Sequence, residues 1–554
     1  MSPRFSGYIQ SAKKLLLSPP FVVFVICAAL LAFNLYSAYQ ARPFSSDDVA
    51  WQTQMISWRP FDGTTAAQGM TAPFVSKIPF YIFMDHFFSP SRRLLFFESY
   101  FFQLFSFGAL YVTALYFLRR QKSKLSYLNL LPFIWLASFG YDFARMFLNS
   151  NWRAPDLGIT FLTFLVTALL FQKKYQSSVP SKRLHYAILV GIALVAGCLI
   201  YSDPHYLYFT VAPLVAFAAW LRYRKVINTK QLTVVASVAV LSLIAAKIVK
   251  SISIASGIKI MTDYPVQFVT YDVLFSKIAL TIQCLLLSFG ANFFGTNLAS
   301  LQAVSGVLNF LLVSVIVVIT WGICRRYLKK PADATDTQAH WYFFFSLISI
   351  EAIALFTFST IAADLSTYRY FIVVLFASVL VLTLKLSTVS GTPRLLASLL
   401  LLTAIAGNVL VTQTGTLTKF LTTGDNLTTN KANALNYTLI DTIEKTGVRK
   451  GYANYWQANI NTYLSKERVQ AHSVLCNGGK TYPFYWLTDE SQYGNHADRS
   501  FYLHDPDIGA PLTCTLEEVK AEFGEPLETI TVQNKSILIY DYDISTKLPG
   551  VNLQ

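Results

Sequence analysis

Phe21 to Tyr39 reads FVVFVICAALLAFNLYSAY, nineteen residues without a charge, and Ser45-Ser46-Asp47-Asp48 follows shortly after. As a helix that stretch rises about 28 Å at roughly 1.5 Å per residue, close to the hydrocarbon thickness of a bilayer. It therefore reads as a first membrane span. Arg4, Lys13 and Lys14 precede it, and the excess of basic residues on the cytoplasmic side places the N-terminus inside and the two aspartates just outside. No small-residue cleavage pattern follows a short apolar core, so the stretch reads as an anchor and not as a cleaved signal. An outer loop over 42–90 opens on the acidic pair, whose plainest role is that of a solvated helix cap.

Working outward, hydrophobic residues make up 54% of the 554, aromatic residues 15% and charged residues 14%, too little charge for a soluble chain of this length. Ten further apolar runs, near 94–118, 126–144, 156–171, 184–202, 206–221, 231–249, 303–324, 341–363, 371–386 and 395–412, bring the expected spans to about eleven. Basic loops alternate with acid-bearing ones. The basic set is Arg119-Arg120-Gln121-Lys122-Ser123-Lys124, Lys173-Lys174 with Lys182-Arg183, Arg222-Tyr223-Arg224-Lys225 with Lys230, and Arg325-Arg326-Tyr327-Leu328-Lys329-Lys330. The formal net charge of +15 is thus mostly a topology signal, and no nucleic-acid footprint is visible in it. Phe275 to Phe294 is also apolar, but as a span it would carry Arg325-Arg326 to the outer side. With Asn292, Gly295 and Asn297 close by, it reads as an interfacial or re-entrant element.

An odd number of spans leaves everything after Thr412 outside. Residues 413–554 hold 12 Lys plus Arg and 16 Asp plus Glu, with no run long enough to span, so 1–412 is the membrane part and 413–554 a separate extracytoplasmic α/β domain. Ala434 to Lys445 has helical periodicity, and Thr515-Leu516-Glu517-Glu518 opens a second helix with a capping box that ends near Gly524. Strands are expected at 452–456, 469–474, 529–533 and 536–540. Cys476 and Cys514 are the domain's two cysteines, and in an oxidising compartment they form either a disulfide or two buried thiols. Cys27, Cys198, Cys284 and Cys324 lie in apolar runs and read as small hydrophobes.

The remaining polar residues gather where helices end on the outer side: Asp47 and Asp48, then Arg145, Arg153 and Asp156, then Asp203 and His205, then Asp364, Arg369 and Tyr370. Carboxylates there can deprotonate or orient an acceptor hydroxyl or amine. Arginine can hold a departing phosphate through directed, charge-assisted hydrogen bonds. Each arginine taken singly reads equally well as an interfacial or ion-paired residue. No Cys-x-x-Cys, His-Glu-x-x-His or phosphate-binding glycine loop is present, and within 1–412 no Asp-x-Asp or histidine cluster marks a tight metal site.

Taken together, Ser45-Ser46-Asp47-Asp48 in a long first outer loop, Asn151-Trp152-Arg153-Ala154-Pro155-Asp156, Tyr368-Arg369-Tyr370-Phe371 and the outer C-terminal domain resemble the GT-C superfamily of integral-membrane glycosyltransferases, which includes the protein mannosyltransferase and aminoarabinose transferase families. The resemblance covers roughly 19–412; for the C-terminal domain it is one of position and size. It implies a GT-C-like bundle that moves a sugar, with inversion, from a polyprenyl-phosphate-linked donor to an extracytoplasmic glycan, lipid or protein acceptor, in a bacterial plasma membrane. On that basis Asp47 is the expected base, with Asp48 sharing or orienting and Asp156 as a second carboxylate. Arg369, Arg153 and Tyr370 would form the donor phosphate site, and Arg145, Asp203 and His205 would line the cavity. Some members use a divalent metal and others do not, so a cofactor stays open.

Two other classes fit parts of the pattern. A transporter or flippase for a lipid-linked or anionic substrate would place polar groups deep in several helices and carry inverted repeats; here the clearest polar groups gather at one face and no repeat is found, with Lys247, Lys250 and Glu351 as the exceptions. A cell-envelope assembly protein without catalysis would use the aromatic-rich tail, with Tyr437, Tyr452, Tyr455, Trp456, Tyr463, Tyr482, Tyr485, Trp486 and Tyr493, to stack on sugars, although the same rings can simply build a core.

Overall fold

A computed structural model describes residues 16–41, 46, 49, 53, 67–70, 92–121, 125–139, 154–171, 182–261, 267–329, 337–362, 364–423, 433–486, 488, 491–494, 496–508 and 512–550. Its apolar part opens with α1 (Pro19–Ala41), strand β1 (Ala67–Met70), α2 (Arg92–Arg120), α3 (Tyr127–Ser138), α4 (Ala154–Leu170) and α5 (Lys182–Ser202). A π turn (Leu207–Val211) leads into α6 (Ala212–Tyr223), followed by α7 (Thr229–Ala255) and strand β2 (Ile258–Met261), which runs parallel to β1. Then come α8 (Leu274–Ser288), α9 (Leu301–Lys329), α10 (Thr337–Phe358), a 3-10 helix (Leu365–Phe371), α11 (Ile372–Thr388) and α12 (Thr392–Thr423). Among the described residues eight helices are long and apolar enough to cross a membrane, and four more are apolar but shorter. This architecture is compatible with a polytopic helical membrane protein.

Close helix contact is bought by small residues. A Cβ at Gly197 of α5 would lie 2.5 Å from the Ala245 Cβ and 2.9 Å from backbone of α7, so only glycine lets these helices touch. A Cβ at Gly158 of α4 would likewise lie 2.7 Å from the Phe105 ring of α2. Polar side chains tie other helices. Asn309 of α9 accepts from Trp135 Nε1 (2.9 Å) and donates to the Gly290 carbonyl (3.0 Å) and to Asn408 Oδ1 of α12 (2.8 Å).

Within the expected third span, 126–144, the described helix runs Tyr127–Ser138, residues 140–144 lie outside the described residues, and Asn34 of α1 meets the helix at its end. Asn34 Nδ2 donates to the carbonyls of Ala137 (2.9 Å) and Phe139 (2.6 Å), satisfying groups that a helix terminus leaves open.

The bundle has two chemically different ends. At one, Gln121 after α2 donates to Tyr342 (2.8 Å) and accepts from Ser387, Arg394 reaches Asn129 (2.8 Å), and Tyr327 pairs with His340. Arg119, Arg120, Arg325, Arg326 and Lys329 stand at this same end. At the other, Leu35 and Leu95 join Leu439, Ile440 and Phe501 in one apolar cluster, so the C-terminal domain seats on the far ends of α1 and α2.

The helix α8 qualifies as a span by length and composition, yet it lies across the bundle. Its leading segment pairs with the end of α10, where Val269 N meets the Phe358 carbonyl (3.0 Å), and its trailing Gly290 meets Asn309 (3.0 Å). Measured from the Tyr327–His340 contact, Asn309 and Phe358 each lie eighteen residues away along their helices. At roughly 1.5 Å per residue both stand about 27 Å from that contact, at one height.

The C-terminal domain is a six-stranded mixed sheet of order β5-β4-β3-β6-β8-β7, with β3 (Lys450–Asn454) parallel to both β4 (Gln470–Asn477) and β6 (Ser500–His504). β5 (Lys480–Pro483), β7 (Glu528–Val532) and β8 (Lys535–Tyr540) complete it antiparallel to their neighbours. Helices α13 (Ala434–Lys445) and α14 (Tyr455–Leu464) share one apolar cluster with the sheet, and α15 (Leu516–Phe523) belongs to another. Thr515 and Glu518 form the capping box, and Gly524 ends α15 at φ 90°. Gly478 and Gly479, both at positive φ, make the two-residue turn of the β4-β5 hairpin. Cys476 and Cys514 are joined in a disulfide. Closing a loop of 38 residues, it stabilises the fold by about 4 kcal/mol on the chain-entropy account.

Inside this domain Asp543 receives hydrogen bonds from Lys450 Nζ (2.9 Å), Tyr452 Oη (2.7 Å) and Ser545 N (2.9 Å). Burial works against its charge, but these donors hold the carboxyl below its ordinary range. Burial, reinforced by the charge of Lys450, pushes His472 down to about 3. The unfolded chain therefore takes up a proton on His472 below about 6.5 that the folded chain refuses, and stability falls with pH between 6.5 and 3; Asp543 adds its loss only in stronger acid. Thermal unfolding of the purified chain followed by intrinsic fluorescence should show the domain losing about 1.4 kcal/mol per pH unit between pH 6 and 4.5. His472→Gln should flatten that slope, and an unchanged slope would refute the assignment.

Candidate functional site

The site residues that can be located meet at the end of the bundle opposite the basic termini. Asp203 closes α5, and its Oδ1 accepts from both the backbone N–H (3.0 Å) and Nδ1 (2.7 Å) of His205. Nδ1–H pointing at a carboxylate leaves Nε2 as the basic nitrogen of the ring. The imidazole stacks on Tyr370 of the 3-10 helix with centroids 5.4 Å apart and planes 14° from parallel. The Arg369 guanidinium sits 5.5 Å from the centroid of that same tyrosine. Four of the expected residues, separated by more than 160 positions in sequence, thus form one contact group.

Asp156 stands in the first turn of α4, where its charge favours the positive helix terminus. It is 5% exposed and close enough to Tyr206 for its charge to act on the phenol. Tyr206 in turn bonds Thr163 Oγ1 (2.8 Å), and Thr160 bonds Thr210 (2.9 Å), which locks α4 to the π turn before α6. Both aspartates therefore have structural work as well: one favours a helix start, the other holds a turn. Asp364 contributes through its carbonyl, which accepts from Thr367 N (3.2 Å). Asp47, Asp48, Arg145 and Arg153 lie outside the described residues. Their neighbour Ser46 is helical and fully buried, and its hydroxyl has no partner among the described residues.

Directly beneath Tyr206 opens a cavity of about 400 Å³ between α4, α5, α6 and α7. Its walls are aliphatic, among them Val166, Leu170, Ile188, Val195 and Val215, and its polar lining includes Tyr206, Thr163, Thr167 and Ser242. Gly191 lines it, and nothing lies within 4 Å of where its Cβ would be. A glycine inside a helix costs about 1 kcal/mol relative to alanine; here the absent side chain leaves room. An apolar slot whose lining residue Tyr206 directly follows His205 of the polar group suits an amphiphile with an anionic head.

Sequence reasoning passed over Glu98 and Gln103 of α2, both buried to 1% or less. The Gln103 amide finds no partner among the described residues. The signal was available, since an acid inside an apolar run is uncommon and marks function by default. Tyr206 and the cavity were not readable in advance, because valines and leucines that line a slot look like those that pack a core. Glu351, in α10, has no hydrogen-bond or ion-pair partner among the described residues. Among those residues Cys476, Cys514 and Glu518 form the group with metal-ligand spacing, but its two cysteines are oxidised to the disulfide. Compared with protein-family models, curated proteins and solved structures, the chain matches none.

Proposed function

We propose that the chain is a GT-C-like membrane glycosyltransferase that moves a sugar from a polyprenyl-phosphate-linked donor to an acceptor outside the cytoplasm. The observation that carries this reading is the junction at Tyr206, which lines an aliphatic cavity, lies within reach of the Asp156 charge and directly follows His205 of the Asp203, His205, Tyr370 and Arg369 group. A lipid-linked sugar phosphate has the same division into chain and charged head. In this reading the first isoprene units enter between α4 and α7, and Arg369 faces the phosphate with planar, permanently charged donors. Asp47 or Asp48 takes the acceptor proton as the acceptor oxygen or nitrogen bonds the anomeric carbon. The bond from that carbon to the phosphate oxygen breaks, and its electron pair leaves with the phosphate.

On this reading the basic end of the bundle faces the cytoplasm, and α8 rests at the outer surface, leaving eleven crossings. In a variant lacking other free thiols, a cysteine at Ser390 should resist an impermeant maleimide applied to intact cells, while one at Asp498 should react. Equal labelling at both positions would overturn the orientation.

Transfer from a purified lipid-linked sugar should fall roughly 10²- to 10⁴-fold in Asp47→Asn or Asp48→Asn while donor binding survives, as expected when a positioned base is lost. Arg369→Ala should weaken donor binding itself. Near-normal turnover in both aspartate variants removes the base assignment. A transporter is the second reading, favoured by Glu351 within α10, which has no partner among the described residues. Transfer measured in detergent separates the two because transport gives no product without compartments.

A further inference from the structure

The C-terminal sheet holds a second constellation, apart from the membrane cluster. β3 passes the chain through α14 to β4 on one side, and β6 passes it through α15 to β7 on the other. Their carboxyl ends, Asn454 and His504, adjoin where the connections diverge, which is where open α/β sheets receive ligands.

The first turn of α14 stands at that point. Asn454 caps it, its Oδ1 accepting from Gln457 N at 3.1 Å, while its Nδ2 has no partner among the described residues although Asn454 is only 2% exposed. Gln457 donates to Asp505 Oδ2 (2.8 Å) and accepts from Asn436 (3.1 Å). Beside these amides runs a file of rings: Trp456 against Tyr455 (5.2 Å), Tyr455 against Phe484 (5.6 Å), and Phe484 stacked on Trp486 at 6.4 Å and 7°. Tyr452, Tyr463 and Tyr493 are 1% exposed or less and belong to the core. Trp456 is different, with 37% of its surface exposed.

Aromatic planes next to groups that both donate and accept match one ligand class well. A pyranose ring offers a C–H face to stack and a rim of hydroxyls to bond. The nearby Lys535 is already bonded to Asp505 and Asp507, which leaves this corner ill-suited to an anion. We propose that this corner of the C-terminal domain binds a neutral, pyranose-based oligosaccharide, one ring lying on Trp456 and hydroxyls reaching the amides of the α14 turn. The site stands whether or not the membrane part transfers sugar.

The test uses the full chain in lipid nanodiscs, free of sugar detergents, with cellotriose and maltotriose as probes. Saturation transfer to ring protons and a shift in tryptophan emission should reveal millimolar binding of at least one probe. Trp456→Ala should weaken it about tenfold, Trp456→Tyr should retain most of it, and Gln457→Ala should weaken it with the stacking residues intact. Trp321→Ala, in α9, should change nothing. Failure of both sugars to bind the wild-type chain, or binding that survives in both Trp456→Ala and Gln457→Ala, overturns the proposal. A Trp456→Ala chain that does not fold leaves Gln457→Ala to decide.

Discussion

Asn309 is where the apolar part is tied together. In hydrocarbon a polar group has no water to fall back on, so it must find its partners within the bundle. One carboxamide joins α3 through Trp135, α12 through Asn408 and the end of α8 through Gly290. Asn408 extends the knot to Ser305 (2.7 Å) and Ser138 (3.1 Å). Nearby, Asn34 makes a similar tie, closing α3 by taking its last carbonyls. α3 is thus closed at that height by a side chain of α1.

That arrangement separates two kinds of surface. At the basic end, arginines and lysines finish the helices and few buried acids answer them. At the other, Asp156 and Asp203 are nearly inaccessible and are held by a helix start and a turn, so their positions are set before any ligand arrives. Preorganised charge in a place poor in water is the usual means of steadying a charged group in reaction. The aliphatic cavity, lined by Tyr206, adjoins that end, as the proposed lipid-linked donor requires.

Much of this was legible along the chain, and the limits are physical. Spans such as Phe21 to Tyr39 announce themselves because length and apolarity are local properties, and the α15 capping box does so because Thr515 and Glu518 are three residues apart. The pair Asp203 and His205 was readable as a polar turn for the same reason. Its stacking on Tyr370 was not, since it depends on how the end of α5 meets the 3-10 helix before α11. Strands β5 and β6 escaped notice differently. β5 is four residues ending in proline, although Gly478-Gly479 is a fair hairpin signal, and β6 is buried between partners distant in sequence, which leaves no alternation to read. The reading of α8 as an interfacial or re-entrant element rested on the charges of its neighbours, since its own length and composition suit a span.

That helix has a consequence for how the protein is made. Inserting machinery weighs hydropathy as a segment emerges, and α8 has enough of it to be threaded through the bilayer. One such error would invert α9 to α12 and deliver the sheet domain into the opposite compartment. On the proposed orientation that compartment is reducing, so Cys476 and Cys514 would stay unjoined. Arg325, Arg326 and Lys329 oppose the error by resisting translocation, and Lys277, bonded to the Ala362 carbonyl, anchors the helix once placed. On that orientation, charges at the foot of one helix would govern the redox state of a bond nearly 150 residues downstream.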